Sequence, residues 1–174
     1  MPRPSWTIRP KGERDSGAIV ALLAEVAREG HYIATEWPFD LDARERALRD
    51  AVLARTVLGW VATDGNALVA DLTVFEPDRD EPLLGMVVAH THRGRGIGRA
   101  LIERACEWAV QNAKAALVLR VFPDNDAARG LYRATGFDEI GFEPHSIPRR
   151  DGTKRDAIVM RKALRASAAE AAGA

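Results

Sequence analysis

His92-Arg93-Gly94-Arg95-Gly96-Ile97-Gly98-Arg99-Ala100-Leu101 sets three glycines and three arginines into the seven positions from 93 to 99. Immediately upstream, Leu83 to Val88 alternates with a period of two, which predicts a strand with Leu84, Met86 and Val88 on one side. Downstream, Ile97, Leu101, Ala105, Trp108 and Ala109 share one face of a helix over Gly96 to Asn112. The stretch is therefore the turn of a strand-turn-helix. Its glycines permit a tight turn and close approach of a ligand to the backbone. The first helical turn leaves N–H groups unpaired at the positive end of the helix dipole. Such a turn suits a phosphate or pyrophosphate. A dinucleotide-binding fingerprint needs Gly-x-Gly-x-x-Gly, and the spacing here is Gly-x-Gly-x-Gly. A P-loop needs Gly-Lys-Ser/Thr, which is absent. An ordinary glycine turn with solvated arginines is the plain alternative.

Outward from the turn, the chain reads β-α-α-β-β-β-α-β-α-β-β. Trp6 to Arg9 is a short strand stopped by Pro10, and Asp15 or Ser16 caps the helix bearing Ile19, Leu22, Leu23 and Val26. Gly30 ends that helix, and Tyr32 to Phe39 is an aromatic loop broken by Pro38. Asp40 caps a second helix with Leu41, Leu48, Val52 and Leu53 as its apolar side. Gly59 to Thr63 and Ala67 to Phe75 flank a hairpin signal, Asp64-Gly65-Asn66. Ala116 to Val121 is almost wholly apolar, as a strand buried on both faces would be. Ala127 to Ala134 is a short helix stopped by Gly136, and Phe137 to Phe142 and Arg155 to Arg161 are the last strands. The prediction is an α/β protein of the α+β type, with a mixed sheet and helices on its faces. Residues 1–162 form one domain, and 163–174 form an alanine-rich tail with little to bury.

Composition limits the rest. A chain of 174 residues suits one domain, at roughly 100–200 residues each. Lys plus Arg balances Asp plus Glu at 25 each, so no global basic field draws the chain to nucleic acid or an anionic membrane. One cysteine, Cys106, excludes an internal disulfide and a cysteine-rich zinc site, and its helical position reads as packing. His90 and His92 have no nearby acidic residue or cysteine to complete a metal site. No apolar h-region and no run of about 20 apolar residues is present, so a soluble cytoplasmic setting is expected.

Two stretches resemble the GNAT superfamily of N-acetyltransferases. Val88-Ala89-His90-Thr91-His92-Arg93-Gly94-Arg95-Gly96-Ile97-Gly98 resembles its motif A, Arg/Gln-x-x-Gly-x-Gly/Ala with a strand valine five residues before the Arg. His90 stands where the family most often has proline. Asn125-Asp126-Ala127-Ala128-Arg129-Gly130-Leu131-Tyr132-Arg133-Ala134-Thr135-Gly136-Phe137 resembles motif B, Asn-x-x-Ala-x-x-Leu-Tyr-x-x-x-Gly-Phe. Together they cover about residues 83 to 142. The resemblance implies a GNAT fold, a mostly antiparallel central sheet of about seven strands with four helices.

The resemblance also implies acetyl-coenzyme A as co-substrate. Backbone amides from Arg93 through Gly94, Arg95 and Gly96 to Gly98 would cradle its pyrophosphate, with the side chain of Arg93 or Arg99 nearby. Backbone groups of Met86 and Val88 would pair with the pantetheine arm, and the Val88 N–H would face the thioester carbonyl, where an N–H stabilises developing charge. The strands holding Val88 and Leu119 would splay to admit the arm. Asn125 would bind the arm, cap the short helix, or both. Tyr132 would serve as general acid for the departing thiolate; without motif B it would read as a core tyrosine.

The acceptor side rests on carboxylates that could take a proton from the amine. Glu36, in the aromatic loop, is the leading candidate, with a solvated or capping carboxylate as the alternative. Asp71 faces either the cleft or water, and Glu76 is a weaker third. Trp37 and Trp60 line the cleft or pack. The reading is an N-acetyltransferase acting by direct attack of a small-molecule primary amine. A protein or peptide N-terminal or lysine acetyltransferase, and a non-catalytic acyl-coenzyme A-binding module, are the alternatives. A homodimer is left open.

Overall fold

The computed structural model describes residues 5–164. Seven strands form one sheet: β1 (Trp6–Pro10), β2 (Val57–Asp64), β3 (Ala67–Phe75), β4 (Leu83–Val88), β5 (Ala116–Val121), β6 (Asp138–Pro148) and β7 (Lys154–Ala163). Their order is β1-β2-β3-β4-β5-β7-β6. Every neighbouring pair is antiparallel except β4 and β5. Four helices accompany it: α1 (Ser16–Arg28), α2 (Leu41–Leu53), α3 (Ile97–Gln111) and α4 (Asp126–Ala134). This is the predicted mixed, mostly antiparallel architecture, and β4, β5 and α4 fall within a residue of their predicted limits. Among the described residues no helix is long and apolar enough to cross a membrane.

The β2–β3 hairpin turns at Gly65, whose φ of +57° favours glycine. Val69 to Val74 of β3 are buried at every position, because α1 and α3 both pack on that strand. Leu72, Leu101, Ile102, Leu117, Leu119, Phe137 and Met160 lie at the centre of the core. Ile102, which the predicted face of α3 omitted, is wholly buried there.

β4 and β5 pair only at Leu83–Val118 and Leu84–Leu119. Beyond Leu84 the two strands separate, as the resemblance implies. The antiparallel ladder fixes which backbone groups face the opening. Ala89 N–H bonds Val69 O, so Ala89, Val87 and Gly85 turn their backbone groups toward β3. Met86 and Val88 therefore turn theirs into the gap.

Several local expectations are corrected. Asp15 does not cap α1 through its side chain. A 3-10 turn, Glu13–Asp15, precedes the helix, and the Asp15 carboxylate accepts from Gly12 N–H at 2.8 Å and pairs with Arg9. Asp40 does cap α2, accepting from Ala43 N–H at 2.8 Å. The apolar side of α2 is poorly covered, with Leu41 and Leu53 exposed. β6 and β7 run longer than predicted, since their pairing in the two-stranded end of the sheet extends to Pro148–Lys154. Ala163 belongs to β7 and Leu164 N–H bonds Ala115 O. The rest of the alanine-rich tail, residues 165–174, lies outside the described residues.

Asp71 faces neither cleft nor water. Its Oδ1 lies 2.6 Å from Lys11 Nζ, and Thr73 Oγ1 donates to its Oδ2 at 2.9 Å. Lys11 also donates to Thr73 Oγ1 at 2.5 Å. Burial pushes the Asp71 carboxyl up and the Lys11 ammonium down, each against the pull of the other's charge. Lys11→Met should cost about 3–5 kcal/mol, because it strands a buried carboxylate. Lys11→Met with Asp71→Leu should recover most of that loss. Urea unfolding measures both, and a loss below about 1 kcal/mol for the single variant would mean that water reaches Asp71.

Candidate active site

The turn after β4 begins as a 3-10 segment, His90–His92, and reverses through Gly94 (φ +75°) and Gly96 (φ +82°) into α3. A Cβ at either glycine would meet nothing within 4 Å, so the requirement is conformational. Ala100 N–H bonds Gly96 O, the first bond of the helix. The N–H groups of Gly94 through Arg99 have no backbone acceptor among the described residues. Gly98 serves packing instead: a Cβ there would lie 2.9 Å from Leu131 Cδ2 and 3.3 Å from Met86 Cε. Close approach of α3, α4 and β4 follows from that glycine.

The arginines divide. Arg99 is exposed in the first turn of α3 and makes no hydrogen bond or ion pair among the described residues. Arg95 is exposed and reaches Asp64 only at 4.0 Å. Arg93 departs from the expected place beside a phosphate. Its Nη1 and Nη2 hold both oxygens of Glu29 at 2.7 Å each, and its Nε donates to Val88 O at 3.1 Å. The two histidines point to different partners, His92 to Asp64 and Thr91, His90 to Arg93.

Across the gap, Asn125 is buried and caps α4, accepting from Ala128 N–H at 3.2 Å. Its Nδ2 makes only a long bond, 3.5 Å, to Tyr32 O. Tyr132, two helical turns further on, is half-buried against Phe137. Its hydroxyl has no hydrogen-bond partner among the described residues. Desolvation pushes the phenol up to about 12, so it is a protonated donor at neutral pH.

Glu36 is occupied. Its Oε2 accepts from Arg150 N–H at 2.8 Å and its Oε1 lies 3.2 Å from Arg149 Nε. The predicted base is thus a tie between the α1–α2 segment and the β6–β7 hairpin. Arg149 also donates to the carbonyls of Ile33 and Ala34, and Arg155 donates to His31 O while pairing with Asp124. Trp37 lies under Arg28 at 3.9 Å and edge-on to Phe39, so it packs the segment. Trp60 packs against the core. Glu76 sits in an exposed turn paired with Arg79. Cys106 is half-buried on α3, its thiol pushed up by burial, and belongs to packing. Sequence reasoning missed Glu29, Arg149 and Arg155. Their partners lie 31 to 124 residues away, beyond any local pattern, although paired arginines before Asp151-Gly152 mark a loaded hairpin.

A glycine turn with free N–H groups thus adjoins a strand edge outside the ladder, and α4, which carries Tyr132, lies against Gly98 through Leu131. Comparison with known proteins agrees. The acetyltransferase (GNAT) family model matches residues 19–137. An uncharacterised N-acetyltransferase of Bacillus subtilis, YobR, is 37% identical over 86 residues, 49% of this chain and 35% of that protein. The N-acetylaspartate synthetase of Homo sapiens is 36% identical over 90 residues, 51% of this chain and 30% of that one. The solved ribosomal-protein-alanine N-acetyltransferase of Brucella melitensis superposes with a TM-score of 0.78 at 27% identity, covering 91% of this chain and 99% of that one. The aligned part spans only about a third, or less, of the first curated relatives.

The phenol carries a test of its own. An ordinary phenol titrates near 10 when unfolded. A folded value of about 12 means that the native state holds the proton more tightly. The stability so contributed is complete below pH 10 and is lost as pH rises toward 12. Urea unfolding of Tyr132→Phe should therefore show a shallower alkaline loss than the parent across that window. Equal slopes would mean that the phenol is not desolvated.

Proposed function

The chain belongs to the acetyltransferase (GNAT) family, and on that premise we propose that it transfers acetyl from acetyl-coenzyme A to a small-molecule primary amine by direct attack. The observation carrying this reading is the unpaired edge of β4 at Met86 and Val88, opening beside the free N–H groups of Gly94 to Arg99. The fit is chemical. A pyrophosphate needs convergent N–H donors and positive charge, which the turn, Arg95 and Arg99 supply. An amide-bearing arm needs an open strand edge, and Met86 and Val88 offer one.

In this reading acetyl-coenzyme A supplies the activated acyl carbon. Val88 N–H, with no partner of its own, faces the gap where a thioester oxygen would lie, and would stabilise negative charge growing there. The amine enters neutral, forms the new C–N bond and gives up its proton to water, while the C–S bond breaks and the sulfur leaves as thiolate. Tyr132 donates a hydrogen bond to that thiolate. A phenol at about 12 is a weaker acid than a thiol with a reference value near 8.5, so stabilisation by the donor precedes full transfer of its proton. We assign Glu36 to anchoring the acceptor segment, since both its oxygens are engaged. Asn125 orients that segment and the start of α4, and its weakly used Nδ2 is available to the arm.

The charge pattern narrows the acceptor. Glu29, Glu36 and Asp124 each face an arginine, so among the described residues these three carboxylates offer no free pair to a polyamine. A peptide N-terminus is the second reading, favoured by the likeness to the ribosomal-protein-alanine N-acetyltransferase across nearly its full length.

Thiol release from acetyl-coenzyme A, assayed against amino acids, polyamines and an alanine-terminated peptide, tests the reading. A small primary amine should be turned over and spermidine should not. Tyr132→Phe should lower kcat at least tenfold, toward the about 10²–10⁴ range of acid-base groups, with coenzyme A affinity within twofold. Arg99→Glu should weaken coenzyme A binding by about tenfold or more. Turnover of no amine, or unaltered kcat in Tyr132→Phe, would contradict the assignment.

A further inference from the structure

Arg93 is half-buried, and three of its five N–H donors are engaged by Glu29 and Val88 O. Two go in parallel to Glu29, at the C-terminal end of α1, and one goes to Val88 O, at the end of β4. The side chain also lies 6.0 Å from the Tyr32 ring. A planar guanidinium held on three acceptors from two elements has a fixed orientation, unlike a surface arginine waiting for an anion.

The segment that Glu29 begins is held elsewhere too. His31 O accepts from Arg155, Tyr32 O from Asn125, and Ile33 O and Ala34 O from Arg149. Glu36 closes the series on Arg149 and Arg150. Residues 29 to 36 are thereby strung from the end of β4 to the β5–α4 junction and the β6–β7 hairpin. Of these anchors, only Arg93 belongs to the glycine turn. Its backbone directly precedes the free N–H groups of Gly94 to Arg99.

We infer that Arg93 is a positioning residue that couples the anion-binding turn to the segment over the acceptor side, and that its side chain is not a phosphate ligand. The inference rests on the reading that coenzyme A binds the turn. An anion that orders Gly94 to Arg99 restrains the Arg93 backbone. The bidentate pair passes that restraint to Glu29 and Tyr32, and Val88 O ties it to the strand whose N–H faces the thioester. Because coupling is reciprocal, an ordered acceptor segment would in turn favour the bound state of the turn. The same sequence motif would thus serve two ligands, one through its amides and the other through its arginine.

Hydrogen exchange on the full chain, with and without coenzyme A, tests this in the parent, Glu29→Gln and Arg93→Lys. Glutamine keeps the shape of Glu29 and removes the charge, and lysine keeps the charge of Arg93 without its fork. Coenzyme A should slow exchange at residues 94–99 in all three proteins. It should also slow residues 29–36 severalfold in the parent, and this second effect should vanish in both variants. Coenzyme A affinity should stay within about threefold throughout, and the double variant should match the singles. Slowing at 94–99 with residues 29–36 unaffected in the parent overturns the coupling alone. So does protection of 29–36 that persists in Glu29→Gln. Affinity lost in Arg93→Lys but kept in Glu29→Gln would make the side chain a phosphate ligand. No slowing at 94–99 in the parent would overturn the cofactor reading, and the coupling with it.

Discussion

The site depends on a failure of pairing. β4 and β5 share two residues of ladder and then part, which leaves backbone donors and acceptors of Met86 and Val88 turned into an opening. Unpaired backbone groups in a sheet interior are costly unless something satisfies them. Val88 O is already satisfied by Arg93, whereas Val88 N–H is not. That asymmetry makes the strand end an acceptor for the protein's own arginine and leaves its N–H free to donate. The surrounding fold sustains the parting. β3 and β5 are buried strands on either side, and the small surface of Gly98 lets α3 lie against Met86 and Leu131.

Charge is organised by local pairing, in keeping with a net charge of zero. Around the opening, Glu29, Glu36 and Asp124 are matched by Arg93, Arg149 and Arg155. These pairs tie segments remote in sequence, and they leave Arg99 unmatched at the head of α3. Deeper in, Lys11, Asp71 and Thr73 form a polar knot between the end of β1 and the centre of β3. That knot is far too enclosed for proton exchange with a substrate, so the polar residue interrupting an apolar strand is structural.

Elements with strong local signals were readable. The alternation of Leu83 to Val88, the apolar run of Ala116 to Val121 and the helical face beginning at Ile97 needed no tertiary information, and the two motifs placed the gap between them. Asp40 and Asn125 were readable as caps because a cap is a local interaction. Side chains whose partners are distant were not. Arg93 reads as a phosphate ligand until Glu29 is seen beside it. Glu36 reads as a base until the β6–β7 hairpin is folded over it. Asp71 finds its cation in Lys11, 60 positions earlier, next to a proline that looks only like a strand stop. The apolar side of α2 misled for the converse reason: its periodicity is genuine, but little of the fold covers Leu41 and Leu53.

In the proposed function the glycine turn and the β4 edge together receive coenzyme A. Thermal melting with saturating acetyl-coenzyme A, coenzyme A, ATP and NAD in parallel tests it most directly. Ligand at a hundred times its Kd stabilises by about 2.7 kcal/mol, which raises Tm by roughly 5–10 °C in a chain of this size. That shift is expected with the two coenzyme A species and none with NAD or ATP. No shift with either coenzyme A species would contradict it.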